Sequence, residues 1–306
     1  MSNPLVSVLI PTFNKGEYIE EAIESVLFQT YGDFELIIVD DCSMDNTASI
    51  VKKFLADKRV KFFQNDENLG IGGNWNKALS YATGKYIKYL MADDKFENKL
   101  LEKYVEVMEK YPDVSLVTSY RGIFGDRNDI IKQPEKGMID SIKAIELTLQ
   151  HGNWIGEPTT VMFRRENLWL GSFKTEFRFL LDLDMWIRHL TCGSLYVIPE
   201  VLSWFRQYSG QATKAVKGDF DDIFEEYLLF EMVFHAKKRF YLDQIVNPEK
   251  LKKKRFMKSY RFIPKMIQKK RYDLILKCYR IALKEGIFLP FFIKTCLNFY
   301  KVFGEA

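Results

Sequence analysis

The 306-residue chain is short of the residues that staple small folds or cage metals. Its four cysteines, Cys42, Cys192, Cys278 and Cys296, stand far apart with no C-x-x-C pair. That spacing excludes a zinc ribbon and a disulfide frame, and fits reduced thiols in a cytosol. The three histidines, His151, His189 and His235, form no cluster, and His189 reads as helix packing or a charge near a helix C-terminus. No uncharged apolar run reaches the ~18 residues of a membrane span. The nearest, "GIFLPFFIKTCLNFYKVFG", is broken by Lys294 and Lys301. The opening "MSNPLVSVLIPTFN" has no basic region and only a short apolar run, so it is not expected to be a signal peptide. "PTFNKGEY" follows the first apolar run where a glycine-rich phosphate loop would stand. This argues against a dinucleotide oxidoreductase and a sugar-phosphate nucleotidyltransferase. "GIGG", residues 70–73, lacks dinucleotide spacing and reads as a flexible loop before a helix.

Net charge is only +4, but it is unevenly spread. Residues 236–306 hold 19 Lys and Arg against 5 Asp and Glu, which leaves 26 against 36 in the rest. An acidic body with a basic tail points to an anionic partner. The tail mixes basic and aromatic residues at helical spacing. It reads either as the solvated cationic face of packed helices or as an attachment to an anionic membrane surface. Nucleic acid is the third alternative and is not expected as a partner. With 47% hydrophobic residues, the chain can fill one large domain plus an appendage. The expected division is 1–215 and 216–306.

The first 120 residues alternate short apolar runs with helical patterns. "VSVLI", "ELIIVDD", "VKFFQN", "YIKYLM" and "VSLVTSY" read as strands. Between them, "YIEEAIESVLFQ", "DNTASIVKKFLA" (capped by Asp45 or Asn46), "NWNKALSYA" (closed by Gly84) and residues 98–111 read as helices. Such alternation predicts an α/β fold, a Rossmann-like, mostly parallel sheet flanked by helices. After Tyr120 the pattern thins. Residues 121–137 read as a loop or hairpin, 140–150 as a helix, and "EPTTVMFRRE" as strand then helix. "LLDLDMWIRHLTCG" has helical spacing, and "LYVIPEVLSWFRQY" reads as two short strands. From about Asp219 the chain is expected to be helical.

In open α/β sheets, ligands bind beyond the carboxyl ends of the strands. Two such ends carry paired carboxylates, Asp40-Asp41 and Asp93-Asp94 in "GKYIKYLMADDKF". Adjacent aspartates repel when both are ionised. Asp93-Asp94 is either a helix cap or a hard divalent cation's anchor, completed by substrate phosphates. Asp40-Asp41 either caps the next helix or accepts hydrogen bonds from a base or ribose. Phe13 either stacks on a base or belongs to the core.

The joint pattern P-T-F-N, V-D-D-x-S-x-D-x-T, N-x-G and A-x-G-x-Y-I-x-x-x-x-x-D-D resembles the family-2 glycosyltransferases of the GT-A fold. The similarity is dense over residues 5–115 and patchier to about 210. It implies a GT-A domain with a helical C-terminal extension. It implies an inverting, metal-dependent hexosyl or N-acetylhexosaminyl transferase using Mn²⁺ or Mg²⁺. The expected donor is a nucleotide sugar, by family precedent UDP-linked, and the expected acceptor a glycan or lipid-linked saccharide in surface polysaccharide biosynthesis. Pro11, Thr12 and Phe13 would line the nucleotide pocket and Asp41 would bond the base. Asp93 would lie near the ribose and Asp94 on the metal, as the DXD element. "LLDLDMWIRHL" resembles the E-D-x-D-x-W-x-R segment, which makes Asp182 the general base, with Leu181 replacing the usual acid; the alternative for Asp182 is helix capping. "WFRQYSG" resembles Y-R-x-H-x-x-S, which directs Arg206 to phosphate and puts Tyr208 where His is common. "NWNKA" departs from A-R-N, so Lys77 inherits no role. The resemblance implies a cytoplasmic protein, peripheral at the inner membrane face. The competing reading is a non-catalytic GT-A-like adaptor for membrane or nucleic acid.

Overall fold

The structure, a computed structural model, describes residues 4–209, 220–236 and 248–303. The chain forms two compact units, Met1–Asp219 and Phe220–Ala306. The boundary expected at 215/216 lies outside the described residues.

In chain order the first unit contains β1 (Val6–Thr12), α1 (Ile19–Leu27), β2 (Phe34–Asp40), α2 (Thr47–Lys52), β3 (Val60–Gln64), α3 (Gly70–Ser80), β4 (Tyr86–Tyr89) and β5 (Lys95–Phe96). It continues with α4 (Leu100–Lys110), β6 (Val114–Gly125), β7 (Asp129–Ile131), β8 (Gly137–Ile139), α5 (Ser141–His151), β9 (Met162–Arg164), α6 (Leu181–Leu190) and β10 (Ser194–Gln207). The strands form one sheet in the order β3-β2-β1-β4-β9-β6-β10-β5, with β7 on β6 and β8 on β10. The β3-β2-β1-β4 half is parallel, as is the long β6–β10 pair. β9 is antiparallel to both its neighbours, so the sheet is mixed.

Burial explains the continuous apolar runs. Every residue of β1 and β2 is buried, because helices cover both faces. Ile19, Ala22, Ile23 and Val26 form the inner stripe of α1 and join Val8, Ile10, Ile38, Leu101 and Tyr104 in the main core. Asp140 caps α5, its carboxylate accepting from Ile142 N at 2.9 Å.

Three local expectations are corrected. "GIGG" is the first turn of α3, not a loop. Gly84 does not close that helix in a left-handed conformation. It sits where β1 passes so closely that a Cβ would stand 2.5 Å from Ser7 N. "LYVIPEVLSWFRQY" is one strand, β10, with register shifts on either side of Val201. Pro199, which has no N–H for the ladder, falls inside the first irregularity and breaks the apparent strand in two. Residues 121–137 hold the expected hairpin: β6 runs on to Gly125 and β7 pairs back on it antiparallel, with Arg121 opposite Ile131.

The second unit is helical throughout its described residues: α7 (Asp221–Ala236), α8 (Pro248–Met257), α9 (Ile263–Gln268), α10 (Tyr272–Lys284) and α11 (Phe288–Phe303). Its own core includes Phe220, Phe224, Phe256, Met266, Cys278 and Phe291. Among the described residues no helix is long and apolar enough to cross a membrane.

Candidate active site

The carboxyl ends of β1 and β2 form one side of the site. Pro11 and Thr12 are the last two residues of β1, paired with Val39 and Asp40. Thr12 Oγ1 is buried with no hydrogen-bond partner among the described residues. Phe13, the next residue, is 44% exposed, which removes the core alternative and leaves its ring free to stack. Asp41 N donates to Thr12 O at 2.8 Å. The Asp41 carboxylate takes two bonds on one oxygen, from Asn65 Nδ2 at 2.8 Å and Leu69 N at 2.8 Å. Its Oδ2 has no partner among the described residues and remains an acceptor. Asp40 is spent on the local turn, accepting from Ser43 and from Gln64 Nε2 at 3.2 Å. Asn46 is the N-cap residue of α2, but it is the Asp45 carboxylate that accepts from Thr47 N, at 3.0 Å. Asn74 locks the α3 turn to both strands, donating to Val39 O and Thr12 O.

The second side lies beyond β4. Asp93 Oδ2 accepts from Lys15 Nζ at 3.0 Å and from Tyr208 OH at 2.8 Å, and Lys15 also donates to Tyr208. Burial alone would lower the Lys15 pKa, but Asp93 and Tyr208 outweigh it and hold the ammonium up. Asp94 is buried; it accepts from Thr159 Oγ1 at 2.5 Å and Arg206 N at 2.9 Å. Burial, and after it the Asp93 charge, push Asp94 well above the usual carboxylate range. Arg206 donates from Nε to the Asp93 carbonyl at 2.9 Å and pairs with Glu21. Its guanidinium lies 4.8 Å from the Tyr18 ring and 4.3 Å from that of Phe124. These contacts tie Arg206 to the loop that carries both aspartates.

Asp182 stands on the third side, in the first turn of α6. The N-cap residue there is Leu180, so Asp182 is inside the helix and is not its cap. Asp182 accepts from Asn153 Nδ2 at 2.9 Å and Leu183 N at 2.7 Å. It is 8% exposed, and burial raises its pKa to about 7. Asp184 is occupied elsewhere, bridging Lys174 and Arg188 at 2.8 Å each. His189 is packing, not charge. It is fully buried, with both ring nitrogens unpartnered among the described residues, its ring 4.7 Å from Phe163, and burial lowers its pKa to about 3.

One segment, 153–160, joins the two acidic sides. Asn153 holds Asp182 and Thr159 holds Asp94. Between them, Glu157 pairs with Arg121 at 3.0 Å, and its charge reaches both Asp94 and Asp182. The β1 and β2 side meets the same helix through α3, since a Cβ on Gly72 would lie 2.8 Å from Leu181 Cδ2. Asp93, Asp94 and Arg206 therefore form one cluster. Asp41 and Thr12 lie at the ends of β1 and the adjoining β2, and Asp182 is linked to both regions. Lys15, Asn153, Glu157 and Thr159 are the members that sequence reasoning missed. Lys15 follows directly on P-T-F-N and was the findable one; the others occupy an irregular segment with no periodicity.

Among the described residues no three His, Cys, Asp or Glu side chains converge as a metal cage. The donor set instead fits a hard cation held by one or two carboxylates and completed by phosphate oxygens. Asp94 is a buried carboxylate beside another carboxylate, which a cation would stabilise in its ionised form.

The fold is shared with S. aureus TarS in complex with UDP-GlcNAc, at TM-score 0.66 and 20% identity, over 84% of this chain and 73% of that one. It is also shared with the mannosyltransferase PcManGT from Pyrobaculum calidifontis in complex with GDP-Man and Mn²⁺, at TM-score 0.56 and 17% identity, over 98% and 86%. The sequence profile described as Glycosyl transferase family 2 matches residues 7–170, and the chain belongs to that family. The putative teichuronic acid biosynthesis glycosyltransferase TuaG of Bacillus subtilis is 35% identical over 209 residues, 66% of this chain and 79% of that protein.

Proposed function

We propose that the protein is an inverting, metal-dependent glycosyltransferase that moves a sugar from a UDP-linked donor to a glycan or lipid-linked saccharide acceptor in surface polysaccharide biosynthesis. The observation that carries this reading is the 153–160 segment, which binds Asp94 at one end and Asp182 at the other. Phe13 stacks on the base, Pro11 and Thr12 line its pocket, and Asp41 Oδ2 accepts from its edge. Asp93 lies towards the ribose. Asp94 would hold Mn²⁺ or Mg²⁺, which when bound neutralises the diphosphate as it leaves. Arg206 orients the Asp93-Asp94 loop and adds positive charge beside the phosphates. Asp182 accepts the proton of the acceptor hydroxyl as that oxygen attacks the anomeric carbon and the bond to the diphosphate breaks. Attack from the face opposite the leaving group inverts the anomeric centre. The UDP-GlcNAc bound by TarS, the Mn²⁺ bound by PcManGT and the name of TuaG support donor, metal and pathway in turn.

The acceptor reading carries a cytoplasmic location at the inner membrane face. Leu289, Phe292, Ile293 and Leu297 are exposed along one side of α11, with Lys294 among them. That is the arrangement of an interfacial helix on anionic lipid.

A screen of nucleotide sugars, scored by release of free nucleotide with and without divalent ion, tests the function. Metal-dependent release from a UDP-sugar is expected. No release from any donor, with binding to anionic vesicles intact, favours the adaptor reading instead.

A further inference from the structure

Lys88, in the middle of β4, is fully buried, a setting in which lysine is rare unless paired. Among the described residues no carboxylate forms an ion pair with it. Its Nζ is instead ringed by carbonyl oxygens, those of Tyr89 and Pro158 at 3.2 Å, Val161 at 3.4 Å, and Thr159. The rings of Phe96 and Tyr104 stand 4.7 and 5.7 Å away. Three N–H donors facing four carbonyls suit an ammonium better than an amine. Burial draws the Lys88 pKa well below the ordinary lysine value, and the charges of Glu157 and Asp94 offset only part of that.

Three of the four carbonyls belong to one turn, 158–161. The same turn presents Thr159 Oγ1, which donates to Asp94 and accepts from Met91 N at 3.1 Å. Tyr104 OH ties the turn down further through Thr160 O at 2.6 Å. A buried charge is a poor source of stability compared with a packed apolar side chain. Its value here is directional, because a cation in a carbonyl ring fixes where the turn lies.

We propose that Lys88 is a positioning residue: its ammonium clamps the Pro158–Val161 turn, so that Thr159 holds Asp94 at a set distance from Asp182. The proposal rests on the glycosyltransferase reading for its effect on rate, while the clamp itself is a statement about structure. A misplacement of about 1 Å can lower a rate by about 10²-fold.

The test uses the full chain with Lys88→Met, Thr159→Val and the double variant, in nucleotide-release and hydrogen-exchange assays. Lys88→Met keeps the volume and removes the ammonium. It is expected to lower kcat by at least tenfold, Thr159→Val by a similar factor, and the double variant by little more than either alone, because both act through one contact. In Lys88→Met the Thr160 and Val161 amides, bonded to Glu157 O and Pro158 O, should exchange at least tenfold faster while β1 stays protected. Activity of Lys88→Met within threefold of wild type, or losses that multiply in the double variant, overturns the proposal. If Lys88→Met does not fold, Thr159→Val decides alone: activity within threefold of wild type overturns it. A wild-type chain inactive on every donor sinks the transferase reading, and hydrogen exchange still tests the clamp.

Discussion

Replacing Asp182 with Asn should destroy activity and stabilise the protein. The carboxylate titrates at about 7 in the folded chain because it is buried, against 3.8 for a free carboxyl. Between these values the folded state binds the extra proton, so wild-type stability falls as pH rises, and the loss is complete above about pH 7. At about 1.4 kcal/mol per unit, three units amount to about 4 kcal/mol. Near pH 5, about 1.2 units above the free value, about 1.7 kcal/mol of this has accrued. The amide also forfeits one hydrogen bond, to Asn153 or to Leu183 N, at a cost of about 1 kcal/mol at either pH. The stability difference between Asp182→Asn and wild type should thus shift in favour of the variant by about 2.5 kcal/mol from pH 5 to pH 8, readable in urea melts. Loss of a general base lowers the rate by about 10²- to 10⁴-fold, readable as nucleotide release with acceptor present. Activity within tenfold of wild type, or a stability difference that does not move with pH, would refute the reasoning.

Asn153→Ala removes a hydrogen bond that favours ionised Asp182, so the acid limb of kcat/KM, expected near pH 7, should move to higher pH. His189→Leu replaces a buried imidazole with two unpartnered nitrogens, and should raise the urea midpoint, worth about 1 kcal/mol, without touching the rate. Gly84→Ala would drive a Cβ to 2.5 Å from Ser7 N and 2.8 Å from Val6 C, both main chain, and should cost about 1–3 kcal/mol in the same assay.

The parallel half of the sheet was legible because β1, β2 and β4 are buried on both faces and read as unbroken apolar runs. The acidic tips were legible because strand ends in such sheets face ligand. β9 was legible as a strand within "EPTTVMFRRE", but not its antiparallel direction, because Met162–Arg164 are too few residues to show how they pair. β10 was split by Pro199, whose missing N–H the strand tolerates at a bulge. "GIGG" was misread because glycine is a poor helix former, yet a Cβ at Gly72 would strike Leu181 of α6. Asp93 and Asp94 could be found from their pairing. Of their partners, Arg206 and Tyr208 were reached through the family resemblance and Lys15 stands next to P-T-F-N, but Thr159 could not be read, because it belongs to an irregular segment that only the folded sheet brings to Asp94.

The central claim is that Asp94 and Asp41 serve one nucleoside diphosphate held with a divalent ion. Titration calorimetry of UDP, with Mn²⁺ present or chelated, tests it most directly in wild type, Asp94→Ala and Asp41→Ala. The account predicts metal-dependent binding in wild type, loss of the metal dependence in Asp94→Ala, and at least tenfold weaker binding in Asp41→Ala. Equal UDP affinity in all three chains, indifferent to Mn²⁺, would contradict it.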